Sequence, residues 1–89
     1  QLWVLVKIAL IASEAFEGFE GHRKDKMDDH LPQFKMMHVE IADAIIRAFD
    51  LAGGLDVPLA EIIVAKLQYN SQRADHKLEN RVKEGGKSV

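Results

Sequence analysis

Cysteine is absent from the sequence, and the patterns of several common active sites are missing with it. Without cysteine the chain has no disulfide bond, no zinc–thiolate site and no thiol nucleophile. Its four histidines show no HExxH spacing, and no serine or histidine has the context of a catalytic triad. A chain of 89 residues can bury only a modest core, so burial against a partner subunit is a reasonable expectation.

Long apolar runs are also missing. The most apolar segment, residues 1–12, is shorter than the roughly 20 residues that a transmembrane helix needs. A signal peptide has a basic region before its apolar segment, and no such region precedes residues 1–12 here. We therefore expect a cytoplasmic protein without a membrane partner. The chain starts at Gln1 rather than at methionine, so we also expect a further N-terminal segment in the complete protein.

The sequence has no excess of positive charge, since its formal net charge is -2. A general nucleic-acid binder usually carries a basic face that neutralises several phosphates, so we expect no nucleic-acid polymer as a partner. Residues 1–65 contain 6 Lys and Arg against 11 Asp and Glu, whereas residues 66–89 contain 6 against 3. An acidic first part and a basic last part indicate that a cation and an anion are bound side by side.

The remaining composition, 47% hydrophobic and 29% charged, is typical of a soluble globular domain. Apolar residues recur at spacings of three and four, and no stretch alternates convincingly with a period of two. The sequence therefore predicts an all-α fold. The first helix is predicted over residues 2–23, with one apolar face: Leu5, Ile8, Ala9, Ala12, Ala15, Phe16 and Phe19.

The second predicted helix follows a polar connector over residues 22–30. The helix is predicted to begin near Pro32, because proline is favoured in the first turn of a helix, and Asp28 or Asp29 is available as the N-cap. The end of this helix is predicted at Gly53 and Gly54, because glycine accepts the left-handed conformation at a helix C-terminus.

The third helix is predicted to start at about Pro58 and to end before residues 85–86. The segment between the first two helices is long enough for the chain to turn back as an antiparallel neighbour. The predicted architecture is a single domain over residues 1–89, an antiparallel bundle of about three main helices completed by oligomerisation.

Two pairs of carboxylates stand out within the predicted helices. Glu14 and Glu17 are three residues apart in the first helix, and Glu40 and Asp43 have the same spacing in the second. Each pair therefore shares a helix face and can point at one place. Four carboxylates at one interface repel one another unless a cation compensates, and Mg²⁺ is the natural cation because it prefers oxygen ligands. The alternative is that all four are solvated charges on amphipathic helices, as most Glu and Asp are.

A polar face in the third predicted helix could bind an anion beside the predicted cation site. Lys66, Asn70 and Arg73 follow one another at steps of four and three, so they share one face. An ammonium, an amide and a guanidinium grouped there suit phosphate and sugar oxygens. Taken alone, the same pattern is more often a solvated basic face.

The acidic pairs and the basic segment together resemble the signature of the MazG-type all-α nucleoside triphosphate pyrophosphohydrolases, part of the MazG-like and dimeric dUTPase superfamily. The resemblance covers nearly the whole chain and has two independently spaced motifs in the right order. It rests on Glu14-x-x-Glu17, a gap of twenty-two residues, Glu40-x-x-Asp43, the segment KLQYNSQR over residues 66–73 and the Gly-Gly-Lys tail over residues 85–87.

The resemblance implies Mg²⁺-dependent hydrolysis of a nucleoside triphosphate to the monophosphate and pyrophosphate, removal of surplus or damaged nucleotides, and assembly as a dimer or tetramer. The chain departs from many relatives at Ser13, where they have a second glutamate. A non-catalytic helical oligomeric module that binds a basic partner through its acidic patch is the alternative hypothesis. The implied roles are metal binding by Glu14, Glu17, Glu40 and Asp43, proton acceptance from water by Glu17, and substrate contact by Lys66, Asn70 and Arg73.

Overall fold

A computed structural model describes residues 1–73 of the chain. This part contains three helices and no strand, which confirms the all-α prediction: α1 Leu2–Arg23, α2 Met36–Gly54 and α3 Leu59–Gln72. None of these helices is long and apolar enough to cross a membrane. The chain divides into two compact units, Gln1–Val57 with α1 and α2, and Pro58–Val89, to which α3 belongs. A single domain over residues 1–89 stays a prediction.

Helices α1 and α2 form an antiparallel hairpin. The start of α1 meets the end of α2, because a Cβ on Gly54 would come within 3.3 Å of the Trp3 ring. Further along, Lys7 Nζ lies 3.2 Å from Asp50 Oδ2. At the opposite end of the hairpin, Gly21 contacts Met36 at the start of α2. The predicted antiparallel arrangement of the first two helices is confirmed.

The face of α1 that packs on α2 is not the predicted apolar face. The buried residues of α1 are Glu14, Gly18 and Gly21, which follow one another at steps of four and three. Phe16 and Phe19, by contrast, are 71% and 62% exposed. The two glycines let the helix backbones approach closely, so this side of α1 packs through its smallest residues and one carboxylate. The apolar face of α1 remains exposed in the single chain.

The connector between α1 and α2 explains why the second helix starts at Met36 rather than near Pro32. Pro32 is the second residue of a β-turn closed by a hydrogen bond of 2.9 Å from the Phe34 amide to the Leu31 carbonyl, a position that proline favours. Asp28 does not cap α2, because its Oδ2 accepts hydrogen bonds from the His30 and Leu31 amides. An antiparallel bridge between residues 27 and 35 closes this loop.

The end of α2 also differs from the prediction. Gly53 and Gly54 are still helical, and Leu55 is the C-cap. The left-handed residue is Asp56, with φ 57°. Aspartate tolerates this conformation because its short polar side chain can bond to the backbone nearby, so glycine was not required there.

Gly21→Ala is expected to destabilise the protein by about 1–2 kcal/mol. A Cβ at Gly21 would lie 2.7 Å from Met36 Cγ and 2.8 Å from Met36 Cβ. These atoms are close to the α2 backbone, so the helices must move apart. Overpacking of this kind costs roughly 1–3 kcal/mol, which exceeds the gain of up to about 1 kcal/mol from removing a glycine from a helix.

Gly53→Ala is the matched control for this prediction. It is also a glycine in a helix, but a Cβ there would meet nothing within 4 Å. We therefore expect it to be neutral or stabilising by up to about 1 kcal/mol. Urea unfolding followed by circular dichroism compares the two variants, and equal effects would contradict the close helix contact at Gly21.

Candidate functional site

Three of the four predicted metal ligands come together between α1 and α2. Glu14 extends from α1, and Glu40 and Asp43 extend from one face of α2. Each offers a carboxylate oxygen, and these oxygens all lie within 4.8 Å of one another. Glu14 and Glu40 are buried, with 6% and 7% of their surfaces exposed, and Asp43 is half-buried. We call Glu14, Glu40 and Asp43 the acidic cluster.

The close approach of the helices allows these short side chains to meet. Gly18 lies one turn after Glu14 on the same face of α1 and faces α2. A Cβ at Gly18 would be 3.3 Å from Glu40 Cβ and 3.7 Å from the Met37 carbonyl oxygen. A larger residue at this position would push α2 and its carboxylates away from Glu14.

Arg47 supplies a positive charge to the acidic cluster. It lies on α2 four residues after Asp43, and its Nε donates a hydrogen bond of 2.5 Å to Glu14 Oε2. This hydrogen bond holds the pKa of Glu14 below its usual value, although burial acts in the opposite direction. The same contact raises the pKa of Arg47. Glu14 is therefore ionised, and Arg47 is its counter-ion.

Glu40 is the member of the cluster for which ionisation is costly. Burial raises its pKa from 4.5 to about 7, and the hydrogen bond with Glu14 and the negative charges of Glu17, Glu14 and Asp43 act in the same direction. Glu40 Oε1 is buried and has no hydrogen-bond partner among the described residues. A buried carboxylate oxygen without a donor is poorly solvated, and a bound cation would compensate for this.

The acidic cluster opens into a cleft of about 510 Å³. One wall comes from the helices and includes Glu17 and Arg47 as well as the cluster itself. The other wall comes from the connector, which brings further polar side chains into the cleft: Asp28, Asp29 and His30. This volume lies within the range of small-molecule sites, so the cleft has room for a polyphosphate group beside the carboxylates. We call it the acidic cleft.

Glu17 lines the acidic cleft but lies outside the acidic cluster. Its side chain is exposed on α1, one turn from Glu14. Ser13 donates its hydroxyl to the Leu10 carbonyl oxygen at 2.8 Å. Ser13 is not among the residues that line the cleft, so Glu17 is the α1 carboxylate available beside the cluster.

The predicted substrate-binding residues belong to the second unit. Lys66 Nζ lies 4.7 Å from the centre of the Tyr69 ring, on the next turn of α3. Asn70 is half-buried, and its Oδ1 has no hydrogen-bond partner within residues 1–73. Arg73 is the C-cap of α3 and has an extended backbone, with φ -71° and ψ 139°. Arg73 is therefore the residue at which the helix ends, and the face predicted to be shared by Lys66, Asn70 and Arg73 stays a prediction. Their role in a joint site with the acidic cluster stays a prediction.

Arg47 and the three polar connector residues of the cleft are not predicted from the sequence. Arg47 had a usable signal, because a residue four positions after Asp43 falls on the same helix face. The sequence offers Asp28 or Asp29 as the N-cap of α2, and the place of both in the cleft depends on the connector turning back on itself. The tail over residues 85–87, part of the resemblance, lies outside the described residues.

No protein-family model matches the chain, and no curated protein or solved structure matches it significantly.

Proposed function

We propose that the protein is a Mg²⁺-dependent hydrolase that converts nucleoside triphosphates to nucleoside monophosphates and pyrophosphate, and so removes surplus or damaged nucleotides. The observation that carries the proposal is the acidic cluster, in which oxygens of Glu14, Glu40 and Asp43 lie within 4.8 Å of one another. All of its ligands are hard oxygen donors, which is the chemistry that Mg²⁺ prefers. The buried Oε1 of Glu40, which has no hydrogen-bond partner among residues 1–73, supports a cation at this place.

The residues around the cluster support distinct roles in this reaction. Glu14, Glu40 and Asp43 would hold Mg²⁺, which when bound neutralises charge on the phosphate oxygens. Glu17 is exposed at the edge of the cleft, where it would accept a proton from the water that attacks the α-phosphorus. The pyrophosphate then leaves with the electrons of the broken α–β bond. Lys66, Asn70 and Arg73 would contact the substrate, as the resemblance implies.

Self-association as a dimer or tetramer is part of the same proposal. Ala52 is the one buried hydrophobic residue within residues 1–73, whereas large apolar side chains on both α1 and α2 are exposed. Phe16 and Phe19 of α1 and Ile46 of α2, for example, are 71%, 62% and 63% exposed. Apolar surface of this extent is typical of a protein that buries it in an assembly. Light scattering after size-exclusion chromatography measures the mass, and a monomer at micromolar concentration would contradict this part.

A non-catalytic helical interaction module is the second candidate function. The observation that favours it is the ion pair of Arg47 with Glu14, which partly neutralises the cluster without a metal. Thermal melting distinguishes the two hypotheses, because a ligand that binds the native state must raise its melting temperature. A rise with Mg²⁺ and a non-hydrolysable nucleoside triphosphate supports the enzyme, and no shift at saturating concentrations supports the module.

The direct test of the proposed reaction is product analysis. The protein is incubated with Mg²⁺ and each of a panel of standard and modified nucleoside triphosphates, and products are followed by ³¹P NMR. We expect equal amounts of nucleoside monophosphate and pyrophosphate for at least one substrate. Nucleoside diphosphate with orthophosphate, or no turnover across the panel, would contradict the proposal.

A further inference from the structure

Arg47 occupies a position that a metal-binding site does not by itself explain. Its Nε is hydrogen-bonded to Glu14 Oε2 at 2.5 Å, so the cluster already holds one positive charge. Glu14 is only 6% exposed, so Arg47 and a cation held by the acidic cluster would both have to contact the same buried carboxylate. A divalent cation held by the acidic cluster would therefore compete with Arg47 for Glu14.

The guanidinium can leave Glu14 without disturbing the helix packing. The Arg47 side chain is 40% exposed, so a part of it already lies in solvent. It lines the acidic cleft and also a neighbouring cleft of about 300 Å³ that includes Asp43 and Asp50. Repulsion from a divalent cation at the cluster would favour its movement away from Glu14. Because Arg47 is anchored on α2 one turn after Asp43, its guanidinium would stay within the region that the substrate enters.

A guanidinium that remains beside a metal-bound polyphosphate can pair with the phosphate oxygens. Its planar set of N–H donors matches the geometry of phosphate oxygens and can pair with two of them at once. The carboxylate of Glu14 and a phosphate group are both anionic oxygen acceptors, so Arg47 can exchange one for the other and keep its charge paired.

We propose that Arg47 is the resident counter-ion of Glu14, that a divalent cation displaces it from this carboxylate, and that the displaced guanidinium then binds the polyphosphate of the substrate. This inference rests on the proposed function. It assigns to Arg47 two effects of opposite sign, since the residue weakens metal binding in the absence of substrate and strengthens substrate binding once the metal is bound.

The first arm of the test is Mg²⁺ binding without nucleotide, measured by isothermal titration calorimetry at pH 8. Arg47→Gln is expected to bind Mg²⁺ about tenfold more tightly than the wild-type protein, because the competing charge is gone. Arg47→Lys keeps a positive charge and should stay near the wild-type affinity. Lys7→Gln removes a positive charge that pairs with Asp50 outside the acidic cluster, and should change the affinity by less than about twofold.

The second arm is the affinity for a non-hydrolysable nucleoside triphosphate at saturating Mg²⁺. Here Arg47→Gln should bind about tenfold more weakly than the wild type, with partial rescue in Arg47→Lys. Both arms are required, so an unchanged Mg²⁺ affinity or an unchanged nucleotide affinity in Arg47→Gln overturns the proposal. If the wild type still hydrolyses triphosphates, the proposed function survives that result. If neither wild type nor variant binds Mg²⁺, both fail.

A measurement on the wild-type protein covers the case in which Arg47→Gln does not fold. The Nε proton of Arg47 is hydrogen-bonded to Glu14 and should give a downfield-shifted NMR resonance at low temperature. Titration with Mg²⁺ should move this resonance towards the position of a solvent-exposed arginine, and addition of the non-hydrolysable triphosphate should move it again. A resonance that stays in place while Mg²⁺ binds would overturn the exchange.

Discussion

Replacing Glu40 with glutamine is expected to stabilise the protein at pH 8 and to leave its stability at pH 5 almost unchanged. The pKa of Glu40 is raised from 4.5 to about 7, chiefly because burial disfavours the charged carboxylate. A group with a raised pKa contributes stability that is fully present below its unfolded-state pKa and is lost as the pH rises through its folded-state pKa. For Glu40 this loss falls between about pH 4.5 and pH 7.

Glutamine reproduces the protonated form of Glu40, because it is neutral, has nearly the same shape and can donate a hydrogen bond to Glu14. The expected gain at pH 8 is on the order of 3 kcal/mol, because the pKa of Glu40 is raised from 4.5 to about 7 and one pKa unit corresponds to about 1.4 kcal/mol. Urea unfolding at pH 5 and at pH 8 measures it. An equal gain at both pH values would contradict the assignment of the effect to ionisation.

Glu20→Gln is the matched control, because it removes a carboxylate of the same type from the same hairpin. Glu20 is paired with Arg23 and Lys24, and the hydrogen bond from Arg23 holds the pKa of Glu20 below its usual value. The Glu20 carboxylate therefore contributes to stability with the sign opposite to that of Glu40. Its contribution is present above the unfolded-state pKa and is lost as the pH falls through the folded-state pKa. We expect no gain at pH 8 in this variant. A gain similar to that of Glu40→Gln would indicate a general effect of net charge.

Asp43→Asn is expected to lower kcat/KM for nucleoside triphosphate hydrolysis by about 10³-fold, because a metal ion contributes several kcal/mol to stabilising charge in the transition state. Asp43 is the least buried member of the acidic cluster, so the amide should fit without unfolding the helices. Initial rates of pyrophosphate release at saturating Mg²⁺ measure the effect, and circular dichroism checks that the helices are retained. Activity within tenfold of the wild type would remove Asp43 from the metal site.

Asp50→Asn provides the comparison for this loss of activity. It makes the same chemical change on the same helix, but Asp50 pairs with Lys7 at the exposed side of the hairpin and is not part of the acidic cluster. Exposed ion pairs contribute only about 0–1 kcal/mol to stability, so this variant should fold normally and keep its activity within about twofold.

The sequence is sufficient to predict the three helices and the convergence of acidic residues from α1 and α2. A spacing of three residues places Glu40 and Asp43 on one face whatever the tertiary structure, and the length between the helices allows Glu14 to meet them in an antiparallel hairpin. These inferences depend on local geometry and chain connectivity. They hold for three of the four carboxylates, whereas Glu17 lies in the cleft but outside the cluster.

The packing of α1 could not be predicted from its apolar pattern. Periodicity places Phe16 and Phe19 on the apolar face of α1, but the residues buried against α2 are Glu14, Gly18 and Gly21. Glycine costs helical stability in isolation, and its benefit becomes visible only when the neighbouring Met36 is known to lie within contact distance. The ion pair between Arg47 and Glu14 could not be predicted from a local pattern either, because it joins residues 33 positions apart.

The central claim is that the acidic cluster binds a divalent cation, and calorimetric titration of Mg²⁺ into the wild type and Glu40→Gln at pH 8 tests it most directly. At this pH, above the pKa of about 7 for Glu40, the carboxylate is ionised and available as a ligand. We predict saturable binding of one Mg²⁺ per chain to the wild type and at least a hundredfold weaker binding to Glu40→Gln. Identical titrations for the two proteins, or no binding to the wild type, would contradict the claim.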